Sequence, residues 1–90
     1  MLKDKVAVIT GAGGSLGRAV AERFANEGAK LVLVDLKEEA AKDTISAVKE
    51  ITNDAHFVQA NVTKKEDVQN FVKEAVEKFN RIDIFFNNAG

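Results

Sequence analysis

Short apolar runs alternate with longer segments of helical periodicity along the chain. The continuous apolar runs at residues 6–9 and 31–34 predict two strands that are buried on both faces. A more polar run at residues 57–62 predicts a third strand, and the run at residues 82–86 predicts a fourth. Since a helical segment follows each of the first three strands, the predicted element order is β-α-β-α-β-α-β.

The three segments between these strands predict amphipathic helices, because their apolar residues recur at the spacing that lines one helical face. The positions expected to face the sheet are Leu16, Ala19, Val20 and Phe24 in the first helix, Ala41, Ile45, Val48 and Ile51 in the second, and Val68, Phe71, Val72, Ala75, Val76 and Phe79 in the third. Gly28 is placed to end the first helix, since glycine accepts the left-handed backbone found there. Thr63 and Glu66 have the spacing of a capping box, which predicts the start of the third helix.

Strands that alternate with helices indicate the α/β class. Parallel strands joined through helices make right-handed crossovers, and these place helices on both faces of a doubly wound parallel sheet. With 90 residues, of which 46% are hydrophobic and 30% charged, the chain is expected to fold as one small domain, residues 1–90.

Composition and charge exclude several function classes. A net charge of −1 gives no electrostatic case for nucleic acid or an anionic membrane as the main partner. The absence of cysteine excludes disulfides and thiolate metal sites, and a single histidine excludes a cluster of histidine ligands. No apolar run approaches the ~20 residues that a membrane span needs. We therefore expect a cytoplasmic protein with no metal site.

A stretch rich in small residues, Thr-Gly-Ala-Gly-Gly-Ser-Leu-Gly at residues 10–17, joins the first strand to the first helix. Small residues let the backbone approach an anion, and the N–H groups and dipole at a helix start favour a phosphate there. Gly17 is expected to let the helix pack closely against the strand. A tight turn that binds nothing is the alternative, but the position within a βαβ unit favours a nucleotide site.

Asp35 ends the second strand, 18 residues after Gly17. An acidic residue at this place in dinucleotide-binding folds accepts hydrogen bonds from the hydroxyls of the adenosine ribose. It also repels a 2′-phosphate, because two like unit charges ~4 Å apart interact by about 4 kcal/mol at an effective dielectric of 20. We therefore expect NAD rather than NADP, although a solvated aspartate at a strand end is the alternative.

Residues 10–17 resemble the Thr-Gly-x-x-x-Gly-x-Gly cofactor loop of the short-chain dehydrogenase/reductase family, and residues 87–90 resemble its Asn-Asn-Ala-Gly motif. The resemblance extends from Lys3 onward. It implies a Rossmann-type sheet with strand order 3-2-1-4, in which both motifs face one crevice. It also implies an oxidoreductase that transfers hydride between NAD(H) and an alcohol or carbonyl substrate, and a homo-oligomer.

Roles in cofactor binding follow from this resemblance, together with the glycine and ribose arguments above. The positions concerned are Gly11, Gly13, Gly14, Ser15, Leu16, Gly17, Asp35, Asn61, Val62, Asn88, Ala89 and Gly90. The loop residues line the pyrophosphate, Asn61 and Val62 end the third strand against the adenine, and residues 88–90 lie along the nicotinamide-side ribose. Ser15 stands where the family usually has glycine or alanine. Asn61 stands where many members have aspartate, and its amide oxygen is expected to accept from the adenine amino group.

The family's catalytic serine, tyrosine and lysine all follow the Asn-Asn-Ala-Gly motif. Because this sequence contains no tyrosine, we expect the 90 residues to be an N-terminal fragment without catalytic residues, inactive alone. Phe85 and Phe86 would then lie on an open sheet edge, which favours self-association. Two alternatives remain open, a non-catalytic nucleotide-binding module and a methyltransferase-type fold that binds S-adenosylmethionine. The second usually has an acidic residue where Thr10 stands.

Overall fold

A computed structural model describes residues 1–88, so the expected cofactor contacts Ala89 and Gly90 lie outside the described residues. The elements follow the predicted order. They are β1 (Val6–Thr10), α1 (Ser15–Asn26), β2 (Lys30–Asp35), α2 (Glu38–Lys49), β3 (Ala55–Gln59), α3 (Lys65–Phe79) and β4 (Ile84–Asn87). None of the helices within residues 1–88 is both long enough and apolar enough to cross a bilayer.

The four strands form one sheet in the order β3-β2-β1-β4, and every pairing is parallel. This confirms the doubly wound α/β fold and the strand order that the family resemblance implied. The chain steps outward from β1 to β3 and then crosses back to place β4 on the other side of β1. The carboxyl ends of β1 and β4 therefore flank the point at which strand order reverses, where ligands of such sheets gather.

Alternate residues of β1 and β2 point to opposite faces of the sheet, so each face has its own core. One core packs α1 and α2 against the sheet, and the other packs α3 against it. The first consists of Ala7, Ile9, Ala12, Ala21, Ala25, Ala29, Leu31, Leu33 and Val48. The second consists of Val6, Val8, Val32, Val34, Val58, Ala60, Phe71, Ala75 and Phe79. Burial on both faces explains why β1 and β2 are continuous apolar runs.

The predicted inner face of α1 was right for Val20 and Phe24, which are partly buried and pack against the first core, and wrong for Leu16 and Ala19. Its buried residues are Gly17, Ala21 and Ala25, whereas Leu16 is 57% exposed and Ala19 is also exposed. Small side chains at the centre of this face allow the helix backbone to approach the sheet, and larger apolar residues pack at its flanks. In α2 and α3 the predicted faces hold apart from Ile51 and Val76, which are exposed.

The predicted capping box at α3 is also wrong. The helix begins at Lys65 with Lys64 as its N-cap, and no side chain caps it there. The Thr63 hydroxyl instead donates to Oδ1 of Asn61, 2.6 Å away. The Asp67 carboxylate, in the first turn, accepts from the backbone N–H of Asn61 at 2.8 Å. Because the Asn61 side chain accepts the hydrogen bond from the Thr63 hydroxyl, this hydroxyl does not cap α3, and the turn before the helix forms around Asn61.

At the other end of the sheet, Asp83 fixes the start of β4 against β1. Its backbone N–H donates to the carbonyl of Val6 at 2.8 Å, and its carboxylate accepts from the Val6 N–H at 2.9 Å. The guanidinium of Arg81 donates to the same carboxylate through Nε at 3.0 Å. The hydrogen bond from Val6, reinforced by Arg81, lowers the pKa of Asp83 below its ordinary value of 3.8. Asp83 therefore has a structural role at the start of β4.

Candidate functional site

The loop between β1 and α1 turns sharply at Gly11, whose φ of +64° is a left-handed conformation that suits glycine. The N–H of Gly14 donates back to the Gly11 carbonyl at 3.1 Å. Gly14 is also the N-cap of α1, and because it has no side chain, no side chain caps the helix start. The loop therefore leaves the first turn of α1 open to a ligand that can accept hydrogen bonds.

The glycines at positions 13, 14 and 17 are needed for different structural reasons. A Cβ on Gly13 would lie 2.2 Å from the carbonyl oxygen of Ala40 in α2, and a Cβ on Gly17 would lie 2.2 Å from the carbonyl oxygen of Gly11. Both positions are therefore closed to any side chain. A Cβ on Gly14 would lie 3.5 Å from its nearest neighbour, which is ordinary contact. Gly13 and Gly17 permit close packing, whereas Gly14 leaves room on the open side of the loop.

Asp35 connects the loop to the end of β2. Its Oδ2 accepts from the backbone N–H of Gly13 at 2.7 Å, and its Oδ1 accepts from the backbone N–H of Leu36, also at 2.7 Å. A carboxylate has about four acceptor positions, so about two remain for other donors. The two backbone bonds fix the orientation of the half-buried carboxylate beside the loop.

The buried Thr44 of α2 holds the loop from the other side. Its hydroxyl donates to the carbonyl of Ala12 at 2.8 Å, and the Ala12 N–H donates to the carbonyl of Val34 at 3.1 Å. Sequence reasoning missed Thr44 because the apolar positions of α2 were traced through Ile45. The signal was a threonine at helical spacing between Ala41 and Val48.

Thr10 joins the glycine loop to the Asn-Asn-Ala-Gly segment. Its hydroxyl donates to Oδ1 of Asn87 at 2.9 Å and accepts from the backbone N–H of Asn88 at 3.0 Å. The side-chain amide of Asn88 lies 3.5 Å from the carbonyl of Gly11. Two segments more than 75 residues apart therefore form one edge of the crevice. From the sequence, no role was predicted for Thr10, which begins the motif at residues 10–17, or for Asn87.

A cavity of about 140 Å³ lies beside the loop at the ends of β2 and β3. Its lining residues are Gly11, Asp35, Leu36, Ala60, Asn61 and Val62. Leu36 is 56% exposed, so it offers an apolar surface at the cavity mouth. Leu36 and Ala60 were not predicted, although each directly adjoins a predicted residue. A flat, largely apolar group with a few polar atoms fits such a lining.

Asn61 lies in this cavity in a different way from that expected. It is not part of β3, which ends at Gln59. Its Oδ1 accepts from the Thr63 backbone N–H at 2.9 Å and from the Thr63 hydroxyl at 2.6 Å. A carbonyl oxygen has two lone pairs, so this oxygen is already fully used. The expectation that it accepts from an adenine amino group stays a prediction, and it would require Asn61 to release one of the two Thr63 donors.

A family model described as short chain dehydrogenase matches residues 5–90. The chain belongs to the short-chain dehydrogenase family. This match confirms the family resemblance that the motifs at residues 10–17 and 87–90 indicated.

Several short-chain dehydrogenases and related reductases are similar over nearly the whole chain. Levodione reductase from Leifsonia aquatica is 47% identical over 89 residues, which cover 97% of this chain and 33% of the relative. The crystal structure of an NAD⁺-bound xylitol dehydrogenase is 39% identical with a TM-score of 0.94, covering 99% of this chain and 34% of that one. The 3-ketoacyl-(acyl-carrier-protein) reductase of Brucella melitensis, complexed with NADH, is 41% identical with a TM-score of 0.84, covering 94% and 34%. This chain therefore spans about a third of the length of these relatives.

In this member of the short-chain dehydrogenase family, most of the predicted site residues lie at the carboxyl ends of the strands. The loop glycines and Asp35 are joined directly by hydrogen bonds, and Asn88 is joined to them through Thr10 and Gly11. Asn61 and Val62 line the adjoining cavity. Ser15 and Leu16 are exposed at the start of α1, where only their backbone N–H groups belong to the open helix end.

Proposed function

We propose that these residues form the NAD-binding part of an oxidoreductase that transfers hydride between NAD(H) and an alcohol or carbonyl compound. The observation that carries the proposal is the hydrogen-bonded joining of three elements in one crevice. The Gly13 N–H of the loop donates to Asp35 at the end of β2, and the hydroxyl of Thr10, the last residue of β1, accepts from the N–H of Asn88, which directly follows β4. The NAD⁺-bound and NADH-complexed relatives support this choice of cofactor.

The residues that would hold the cofactor follow from the geometry. The pyrophosphate would lie against the loop and the open first turn of α1, where the helix dipole and free N–H groups favour an anion. The remaining acceptor positions of Asp35 would bind the adenosine ribose hydroxyls, and the base would lie in the cavity between Leu36 and Val62. Asn88, with Ala89 and Gly90 of the same motif, would lie along the nicotinamide-side ribose. When bound, NAD accepts or donates the hydride.

Asp35 is the proposed determinant of NAD over NADP. A 2′-phosphate would stand beside a carboxylate whose orientation is fixed by the N–H groups of Gly13 and Leu36. The repulsion at ~4 Å is about 4 kcal/mol per unit-charge pair at an effective dielectric of 20, and solvent screening at this half-buried site reduces it. A preference for NADH of at least about tenfold needs only about 1.4 kcal/mol.

Catalysis is proposed for the intact protein and not for these 90 residues alone. The sequence contains no tyrosine, whereas the family resemblance implies a catalytic tyrosine together with a serine and a lysine. We expect the 90-residue chain to bind NADH without turning over any alcohol or carbonyl compound. A cytoplasmic location and a homo-oligomer are further predictions for the intact protein.

The test is a calorimetric titration of the chain with NADH and with NADPH, on the wild type and on Asp35→Ala. We expect the wild type to bind NADH at least about tenfold more tightly than NADPH. Asp35→Ala should weaken NADH binding and narrow the difference, because it removes both the acceptors for the ribose and the repelling charge. A wild-type preference for NADPH would contradict the role of Asp35. Binding of S-adenosylmethionine with neither dinucleotide bound would overturn the proposed function.

A further inference from the structure

The orientation of the Asn61 side-chain amide is fixed by its neighbour Thr63. A peptide N–H can only donate, so the Asn61 atom that lies 2.9 Å from the Thr63 nitrogen must be the amide oxygen. The Thr63 hydroxyl donates to the same oxygen at 2.6 Å. These two bonds use both lone pairs of the oxygen and hold the amide in one orientation.

The remaining terminal atom of Asn61 is Nδ2, which carries two N–H donors and no acceptor. It makes no hydrogen bond with any residue in the part of the chain that the structure describes, residues 1–88. Asn61 lines the cavity beside Asp35 and Leu36. What the Asn61 side chain can offer a ligand in that cavity is therefore a donor.

A donor at this position distinguishes two kinds of purine. Adenine carries an amino group at C6, which is itself a donor. Hypoxanthine carries an oxygen at C6, which is an acceptor, as guanine does. A donor that meets the amino group of adenine is mismatched and can pair only with a neighbouring ring nitrogen, whereas the same donor pairs directly with a 6-oxo group.

Building on the proposed function, we propose that Asn61 is a specificity-determining residue for the base of the dinucleotide. Its amide nitrogen favours a 6-oxo purine at the place where a carboxylate would favour adenine. The protein therefore accepts nicotinamide hypoxanthine dinucleotide with a smaller loss of affinity than a protein with aspartate at this position.

Asn61→Asp replaces Nδ2 by an oxygen and adds one negative charge, and it keeps the rest of the side chain. A carboxylate keeps one oxygen for the two donors of Thr63, so the turn before α3 can persist, and its second oxygen replaces Nδ2. That replacement turns a donor into an acceptor, which pairs with the 6-amino group and repels the 6-oxo group. All other contacts of the base are common to both proteins and cancel when ratios of affinity are compared.

The experiment measures Kd for NADH and for reduced nicotinamide hypoxanthine dinucleotide on wild type, Asn61→Ala and Asn61→Asp. We expect the ratio of affinities to move toward NADH by at least about tenfold in Asn61→Asp, since one hydrogen bond is gained for one base and lost for the other. Asn61→Ala should lie between the two. Gln59→Glu is the charge control, because Gln59 lines a neighbouring cavity with Asn61; it should weaken both dinucleotides equally and leave their ratio unchanged.

The possible failures are distinct. If both dinucleotides bind the wild type and the ratio is the same in all four proteins, the assignment of Asn61 is overturned while the proposed function stands. The same holds if Gln59→Glu moves the ratio as far as Asn61→Asp does, because charge alone would then explain the change. If the wild type binds neither dinucleotide, the proposed function fails and the base specificity fails with it. Asn61→Ala keeps the test valid should the aspartate variant not fold.

Discussion

The sharpest test of the loop geometry is to add a single methyl group at Gly17. This glycine is the third residue of α1 and is buried against the loop. An alanine Cβ there would lie 2.2 Å from the carbonyl oxygen of Gly11 and 3.0 Å from the Cα of Ala12. Both neighbours are backbone atoms, so no flexible side chain can move out of the way.

The size of the effect follows from two opposing terms. In an exposed helix interior, glycine to alanine stabilises by about 1 kcal/mol, because alanine has the better helix propensity. At Gly17 the methyl group needs about 1.2 Å more separation to reach ordinary contact at 3.4 Å from the Gly11 oxygen. Overpacking a core of this kind costs about 1–3 kcal/mol, occasionally more. We therefore expect Gly17→Ala to destabilise the fold, against the sign that helix propensity gives.

Gly14→Ala is the matched control, three residues earlier in the same segment. Its φ of −74° is open to alanine, and its Cβ would be in ordinary contact at 3.5 Å from the nearest atom. The gain from a less flexible unfolded chain, about 0.4–1 kcal/mol, roughly offsets the poorer N-cap. The free energy of unfolding should therefore change by less than about 1 kcal/mol, while NADH binding weakens because the added methyl narrows the open side of the loop.

The assay is urea unfolding followed by circular dichroism. For a chain of this size the denaturant dependence is about 1 kcal/mol per molar urea, so Gly17→Ala should lower the midpoint by about 1 M or more. Gly14→Ala should leave it nearly unchanged. A Gly17→Ala protein as stable as the wild type, or a Gly14→Ala protein equally damaged, would refute the close approach of α1 to the Gly11 carbonyl.

Three further predictions concern other contacts. Thr44→Val should lower the free energy of unfolding in urea by about 1–3 kcal/mol, because the carbonyl of Ala12 loses its buried donor. Thr44→Ser keeps the hydroxyl and should lose less stability. Equal losses of stability would show that the hydroxyl is unimportant. The depressed pKa of Asp83 means that its carboxylate stabilises the fold fully above the unfolded-state pKa of 3.8 and loses this effect as pH falls through the lower folded-state value; the stability gap to Asp83→Asn should therefore close in that range, and a gap independent of pH would contradict it. The 90-residue chain should self-associate in sedimentation velocity, since β4 pairs only with β1 among the described residues and Phe85 is 45% exposed; Phe85→Lys should reduce association, and a monomeric wild type at high concentration would oppose this.

The strands and their order were predictable because burial on both faces leaves a clear pattern. β1 and β2 are surrounded by helices and neighbouring strands, so apart from Lys30, which is partly exposed at the start of β2, they contain no polar residue before Thr10 and Asp35. The place of β4 came from the family resemblance and not from periodicity. Its start is set at Ile84 and not at residue 82, because Asp83 binds Val6 from outside the strand.

The local contacts around α1 and α3 could not be predicted from apolar spacing. Gly17 has no side chain, so it counts as neither apolar nor polar in a periodicity argument, yet it lies at the centre of the buried face. Asn61 and Thr63 both can bind backbone groups before a helix, and the sequence does not say which of them does so. The atoms that each site residue has left for a ligand depend on such choices, and so they emerge only from the structure.

The attachment of β4 also has a consequence for the order of folding. Its hydrogen bonds to β1 at Asp83 and Thr10 span 77 residues, whereas β1 pairs with β2 from Val6 to Lys30, a separation of only 24. Closing the longer loop costs about 1 kcal/mol more in chain entropy. The β1-α1-β2 unit, which already contains the glycine loop and Asp35, can therefore form early, while the edge that carries Asn88 docks late. A nascent chain would thus form the contact between Gly13 and Asp35 before Asn88 reaches Thr10.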